Sequence, residues 1–411
     1  MCAACIGVVA YTTPACAQAE FENPPALRAS DFLPADILKG PHHEVGAAVN
    51  NDGYMNTYTI KSSFGTMVAV STPLAAVRVN EINAMAAMAE VEKTEEFKGA
   101  AKEAATGAYE GAKQLVTKPV ETVGGAVTGV GRLFRRGAES FQGTRSESED
   151  AGYKSLIGFS KSKRNVAKEF GVDVYSSNDL LQEKLEEVAW TGYAGDMTIT
   201  APLAFVPGGV GVAVTATQTV TALNETIALS NPKDLRLSNR EDLAKMGVGS
   251  DLIDLYIENA TFTPRQQTLI VAALALMDGT ANRSAFIKQI ISTNTQDLAF
   301  FRVQQAAMYA AYHNKVEPIT AFITSGSRAL GESKSGKLVF IAPVDHLVWT
   351  RFIRDNFMAV NEFAESRTNL RGRVFWVGGT VSDTARKAIS SEGWEVLEDG
   401  HRQLHQALKE P

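Results

Sequence analysis

The chain has 411 residues, of which 45% are hydrophobic and 21% charged; these are ordinary globular proportions at a length where one core usually stops growing, so two or three domains are expected. Its formal charge of −6, with no lysine-rich arm carrying interleaved aromatics, excludes the electrostatic footprint of a nucleic-acid binder. All three cysteines, Cys2, Cys5 and Cys16, fall at the N-terminal end. The remainder therefore offers no thiolate nucleophile, disulfide or thiolate metal site.

Residues 1–17 combine a short apolar run with Ala15-Cys16-Ala17, the small-x-small pattern of a signal-peptidase site. They differ from the usual leader in having no Lys or Arg before the run. Cleavage after Ala17 starts the mature chain at Gln18 and places it in the periplasm or outside the cell.

Residues 18–92 are expected to form a small α+β module. A Pro-rich, charged arm precedes a turn at Asn50-Asn51-Asp52-Gly53, strand-like alternation runs through Tyr54–Val70, and a helix covers residues 73–92. Residues 93–150 then hold eleven-residue units, 102–112, 113–123 and 124–134, with Thr106, Thr117 and Thr128 in one phase and Ala112, Val123 and Phe134 in another. Eleven residues make three turns of about 3.67 residues each, which lays a shallow apolar stripe containing Val123 and Val127 along one helix face. Lys102, Lys113 and Lys118 flank it, and Arg132, Arg135 and Arg136 cluster beside Phe134. Interior glycines cost a helix about 1 kcal/mol each and a proline such as Pro119 about 3. The stripe therefore needs a surface to fold against, and the residues leave a membrane surface, a protein surface or a linker role open. The units KEAATGAYEGAK and VETVGGAVTGV resemble the amphipathic repeats of synucleins and, less closely, those of late-embryogenesis-abundant proteins. The resemblance implies a segment that becomes helical on lipid.

Residues 151–315 read as a helical bundle. Ser177 or Asn178, a Ser238/Glu241 capping box and Thr263 before Pro264 supply helix starts, and further helices are expected over 264–278, 283–293 and 295–314. Met197–Asn224 carries no charge, but its prolines, glycines and threonines favour a buried helix over a membrane hairpin or span. Residues 316–411 alternate strands (319–323, 338–341, 374–377, 394–397) with helices (346–366, 382–391), the pattern of a small α/β module. The fold class is thus α+β and multidomain, with an N-terminal β-hairpin and helix module, a central helical bundle and a C-terminal α/β module.

Chemistry-bearing motifs are sparse. Gly378, Gly379, Thr380 and Ser382 sit between a strand and a helix, where backbone amides can face an anion. The stretch GRVFWVGGTVSDTARKAISSEGWEV resembles the strand, Gly-Thr turn and helix that open BRCT domains, which implies a phosphopeptide as ligand. Asp345 and His346 follow a strand, the usual place for functional groups in α/β folds. His42 with His43, and His401 with His405, lack a nearby third ligand, so no metal site and no cofactor is expected. Neither a G-x-S-x-G nor an H-E-x-x-H motif occurs. The chain reads as an exported envelope protein that binds or scaffolds, with a lipid surface or an envelope protein as partner; the alternative is an exported enzyme with its site around Asp345, His346 and Gly378–Ser382.

Overall fold

The computed structural model describes residues 21–103, 159–194, 198–200 and 226–402. It is an α+β, multidomain arrangement built around two sheets, each with its own helices.

In the N-terminal sheet, β4 (Asn56–Ser62) is central. β3 (Ala48–Asn51) and β2 (His43–Val45) share one edge of β4, β5 (Gly65–Val70) takes the other, and β1 (Leu27–Arg28) pairs with β3, all antiparallel. Alternate residues Asn56, Tyr58 and Ile60 of β4 turn inward with Met67 and Ala69 of β5, the period of a sheet buried on one face. A single turn, α1 (Ala35–Leu38), lies over the β2 side. The long helix α2 (Thr72–Val91) starts where the Ser71 side chain accepts the Leu74 amide at 3.2 Å. Its Ala- and Met-rich surface is buried on more than one side because α3 (Phe159–Glu169) and α4 (Asp179–Ala194) join the same core.

The expected bundle of residues 151–315 therefore divides between two cores. Leu181, Leu185 and Val188 of α4 pack with Val79, Ile82 and Met85 in the N-terminal core. By contrast, α5 (Pro232–Lys245), α6 (Ser250–Ile257), α7 (Pro264–Ala275), α8 (Ser284–Ile290) and α9 (Gln296–Ala311) pack against the C-terminal sheet. Periodicity fixes which face of a helix is apolar but not which partner covers it. The Thr263 capping box forms with Gln266. Ser238 and Glu241 do not start a helix: α5 begins seven residues earlier, on an Asn231 cap followed by Pro232, because the apolar spacing continues upstream through Leu235.

The C-terminal sheet has the order β12-β10-β8-β7-β6. β8 (Lys337–Ala342), β10 (Gly372–Val377) and β12 (Glu395–Leu397) run parallel, whereas β6 (Ile319–Ser325) and β7 (Arg328–Ser333) form an antiparallel hairpin on the β8 edge. Val339, Ile341, Val374 and Trp376 face α5 to α9. Leu338, Phe375 and Val377 face α10 (Arg351–Glu365) and α11 (Asp383–Ser391). Both faces are covered, so the strands read as apolar runs rather than alternations. A two-residue parallel pair, β9 (His346–Leu347) with β11 (Thr380–Val381), joins the loops at the carboxyl ends of β8 and β10.

Candidate functional site

The hairpin and the parallel strands part company midway. β7 pairs with β8 only at Gly331↔Val339 and Glu332↔Leu338, so Arg328–Leu330 and Phe340–Ala342 diverge. A buried ladder group left without a partner costs about 1–3 kcal/mol, and side chains from two helices take over here. Gln289 of α8 accepts the Ala329 amide, and Gln305 of α9 donates to the Ile341 carbonyl at 2.8 Å. The two glutamines are joined to each other at 2.8 Å. Tyr309 completes the wedge by donating to the Ala329 carbonyl at 3.1 Å.

A cavity of about 350 Å³ opens in this split, at the carboxyl end of β8. This lies at the lower end of ligand sites, which run from about 300 to 1,000 Å³. Phe340, Phe375, Phe357, Ile353, Leu347 and Phe301 form its apolar walls. Phe340 stacks on Phe375 with centroids 4.9 Å apart, which stiffens the floor. At the mouth Phe352, 60% exposed, stacks on Tyr54 of the N-terminal module at 6.1 Å.

Two guanidinium groups line the same space, and no carboxylate does. Arg302 donates to Gln305 at 2.8 Å, while its buried Nε–H has no partner. Burial, and secondarily the charge of Arg328, bring the Arg302 guanidinium down to about 10. Arg328 donates to Asn356 Oδ1 at 2.6 Å, and Asn356 spends its amide on the Phe352 carbonyl at 2.8 Å. Among the described residues, neither arginine forms an ion pair.

Tyr54 reaches the mouth because the β3–β4 turn is fastened to the loop after β8. Asn51 and Asp52 fold the turn by accepting the amides of Gly53 and Met55 at 2.7 and 2.8 Å. Asp345, 1% exposed, accepts the amides of Asn56 and Thr72, each at 2.9 Å, one with each carboxylate oxygen. In return the Asp345 amide donates to the Tyr54 carbonyl at 3.0 Å, and the Val348 amide to that of Gly53 at 2.8 Å. Burial raises the Asp345 carboxyl to about 6, with the two amides working in the opposite direction. His346 turns away from Asp345 and pairs its Nδ1 with the Thr380 hydroxyl at 2.7 Å. Burial lowers its pKa.

The anion cradle expected at Gly378, Gly379, Thr380 and Ser382 is filled from within. Their amides donate to the carbonyls of Ala342, Val344, Asp345 and Leu347 at 2.7–3.0 Å. The glycines serve close packing: a Cβ on Gly379 would stand 2.0 Å from the Asp345 carbonyl oxygen, and one on Gly378 would stand 2.2 Å from the His401 ring. Ser382 caps α11 and donates to Glu22 at 2.5 Å. Burial pushes His401 down to about 4, and His43 is taken up by the Ile37 carbonyl at 3.0 Å. Among the described residues no three His, Cys, Asp or Glu side chains converge to hold a metal.

Lys102 lies on the exposed side of a helix covering residues 95–103. Lys113, Lys118, Val123, Val127, Arg132, Phe134, Arg135 and Arg136 lie outside the described residues, as do residues 1–17, His405 and nearly all of Met197–Asn224. No described helix is long and apolar enough to cross a membrane. Comparison with family models, with curated proteins and with solved structures finds no match.

Sequence reasoning missed Gln289, Arg302, Gln305 and Arg328. Gln and Arg normally mark the solvent face, and the one local signal was Arg302 and Gln305 at i, i+3 in a helix otherwise rich in Ala and aromatic residues.

Proposed function

We propose that this chain is an exported, envelope-associated binding protein that holds a small molecule in the cavity between α9, α10 and the split sheet. The observation that carries this reading is the cavity itself: preformed, apolar, bordered by the stacked rings of Tyr54 and Phe352, and lined by a few polar groups. The strand-end groups that would serve an enzyme are already engaged. Asp345 is spent on two backbone amides, His346 on Thr380 and Ser382 on Glu22. Support for export comes from the leader-like pattern of residues 1–17, and support for a membrane-facing role from the basic eleven-residue repeat.

Titration of the full chain with Nile red, a neutral solvatochromic dye, tests the binding reading. One saturable site is expected, and Ile353→Trp, which fills the cavity from α10, is expected to abolish it while the circular dichroism spectrum stays unchanged. Absence of saturable binding, or equal binding by the filled variant, overturns the reading. N-terminal mass spectrometry on protein from its native cell is expected to find Gln18; an intact Met1 removes the export component.

A further inference from the structure

Resting on that binding reading, we infer that the cavity selects an oxyanion-headed amphiphile: an apolar chain or ring system ending in a carboxylate or a phosphate. The head would lie on Arg302 and Arg328, and the body among Phe340, Phe357 and Phe375, with the free end toward Tyr54 and Phe352. Two guanidiniums share one apolar space with no carboxylate in its lining, and the burial that lowers Arg302 is reinforced by its like-charged neighbour. A half-buried cation whose Nε–H is buried and unpaired is costly, and an incoming oxyanion relieves the desolvation, the repulsion and the unpaired donor together. The planar fork of arginine suits carboxylate and phosphate oxygens.

The remaining polar groups narrow the ligand further. Gln289 and Gln305 are committed to the split backbone and to each other. Asn356 is committed through both its amide atoms, and the Ser292 hydroxyl donates to the Gln289 carbonyl at 3.3 Å. Of the other lining side chains only the Ser327 and Tyr54 hydroxyls are uncommitted, too few to satisfy the several hydroxyls of a sugar or the base edges of a nucleotide, since an unmet polar group of a ligand is penalised in an apolar wall. A single charged head on a featureless apolar body matches this division. The modest volume suits a medium-length chain.

Isothermal titration of the full chain with octanoate, decanoate, decyl phosphate and 1-decanol tests this. The acids are expected to bind with one-to-one stoichiometry, to tighten about fourfold per added methylene until the cavity is full, and to bind at least tenfold more tightly than decanol. Arg302→Met and Arg328→Met are each expected to cost the acids tenfold or more and to narrow or abolish their advantage over decanol. Without ligand, Arg302→Met is expected to hold or raise the melting temperature, because it removes a desolvated charge. Whichever of decanoate and decyl phosphate binds more tightly identifies the head. If decanol matches decanoate and the arginine variants bind both normally, the oxyanion inference is overturned while the pocket stands. If Nile red also fails to bind, the binding reading has failed with it.

Discussion

Asp345 is the residue whose replacement separates a structural tie from a catalytic acid. Its carboxylate joins the start of β4 to the first residue of α2 through two amides at 2.9 Å, and it lies at 1% exposure. Burial is the largest influence on the group; the Asn56 and Thr72 amides and the Thr72 hydroxyl favour the charged form, and the charge of Asp52 opposes it. Raising the carboxyl from 3.8 to about 6, at about 1.4 kcal/mol per pH unit, amounts to about 3 kcal/mol. The folded chain binds this proton more tightly than the unfolded one. This contribution to stability is therefore complete below about pH 4 and is lost as the pH rises through 6.

Asp345→Asn removes the titration but keeps the shape. Its carbonyl oxygen can accept one of the two amides, while its own NH2 group is set against the other, a mismatch worth about 1–3 kcal/mol. The variant is expected to be less stable than the parent by that amount at pH 4. By pH 7, where the parent carries a buried charge and the variant does not, the parent loses about 3 kcal/mol relative to the variant, so the gap should close or reverse. Urea unfolding followed by far-ultraviolet circular dichroism, at half-unit steps from pH 4 to pH 7, measures the gap directly. A gap independent of pH would refute the assignment of Asp345 as a buried, titrating tie.

Gln305→Leu is expected to destabilise the chain by about 2–5 kcal/mol, since it strips both the Ile341 carbonyl and the Gln289 amide of their partner; chemical denaturation measures this, and a loss below 1 kcal/mol would mean that the split strands find other partners. Gly379→Ala places a methyl group 2.0 Å from the Asp345 carbonyl and is expected to lower the melting temperature steeply in differential scanning calorimetry, whereas a loop shaped for an anion would tolerate it. A peptide covering residues 97–141 is expected to be mostly unfolded in buffer and to become helical on anionic vesicles, with Val123→Asp plus Val127→Asp abolishing the response. No helical gain on lipid removes the membrane-surface role of that segment.

The sequence revealed the elements better than it revealed their partners. Helices starting at Thr263-Pro264 and Ser382 were legible because a cap and a periodic apolar stripe coincide there, whereas the helix expected from residue 346 starts only at Arg351, on a Thr350 cap, because His346 and Leu347 are taken up by β9. The parallel strands were legible as unbroken apolar runs. β7 was not, because RALGES has Gly331 at its centre, where a Cβ would stand 2.9 Å from Ile319, and its spacing is that of a turn. The division of the central helices between two cores was illegible for a different reason: Leu181, Leu185 and Val188 form the same stripe whichever surface receives them. Asp345 and His346 were singled out for standing at a strand end, and they do stand there. Their burial reverses the chemistry, since an aspartate with both oxygens on backbone amides is a fastening.

The cavity and the Asp345 tie meet in Tyr54. The ring closes the mouth with Phe352, yet it belongs to the N-terminal sheet and is held in place by bonds to the loop after β8. Met55 and Val70 contribute to the same apolar cluster as the cavity walls, so one hydrophobic surface runs from the pocket into the joint between the modules. A ligand that contacts Tyr54 as well as α10 binds only the docked arrangement. By linkage it stabilises that arrangement by RT ln(1 + [L]/Kd), about 2.7 kcal/mol at a hundredfold excess over Kd. The reciprocal holds: weakening the tie lowers the fraction of chain with a complete mouth, and the apparent affinity falls by that fraction. Asp345→Asn is therefore expected to weaken Nile red binding only in proportion to the undocked fraction it creates, while Ile353→Trp abolishes binding with the modules still docked. The contrast between the two variants locates the binding energy in the split of the C-terminal sheet and the closure of its mouth in the N-terminal turn.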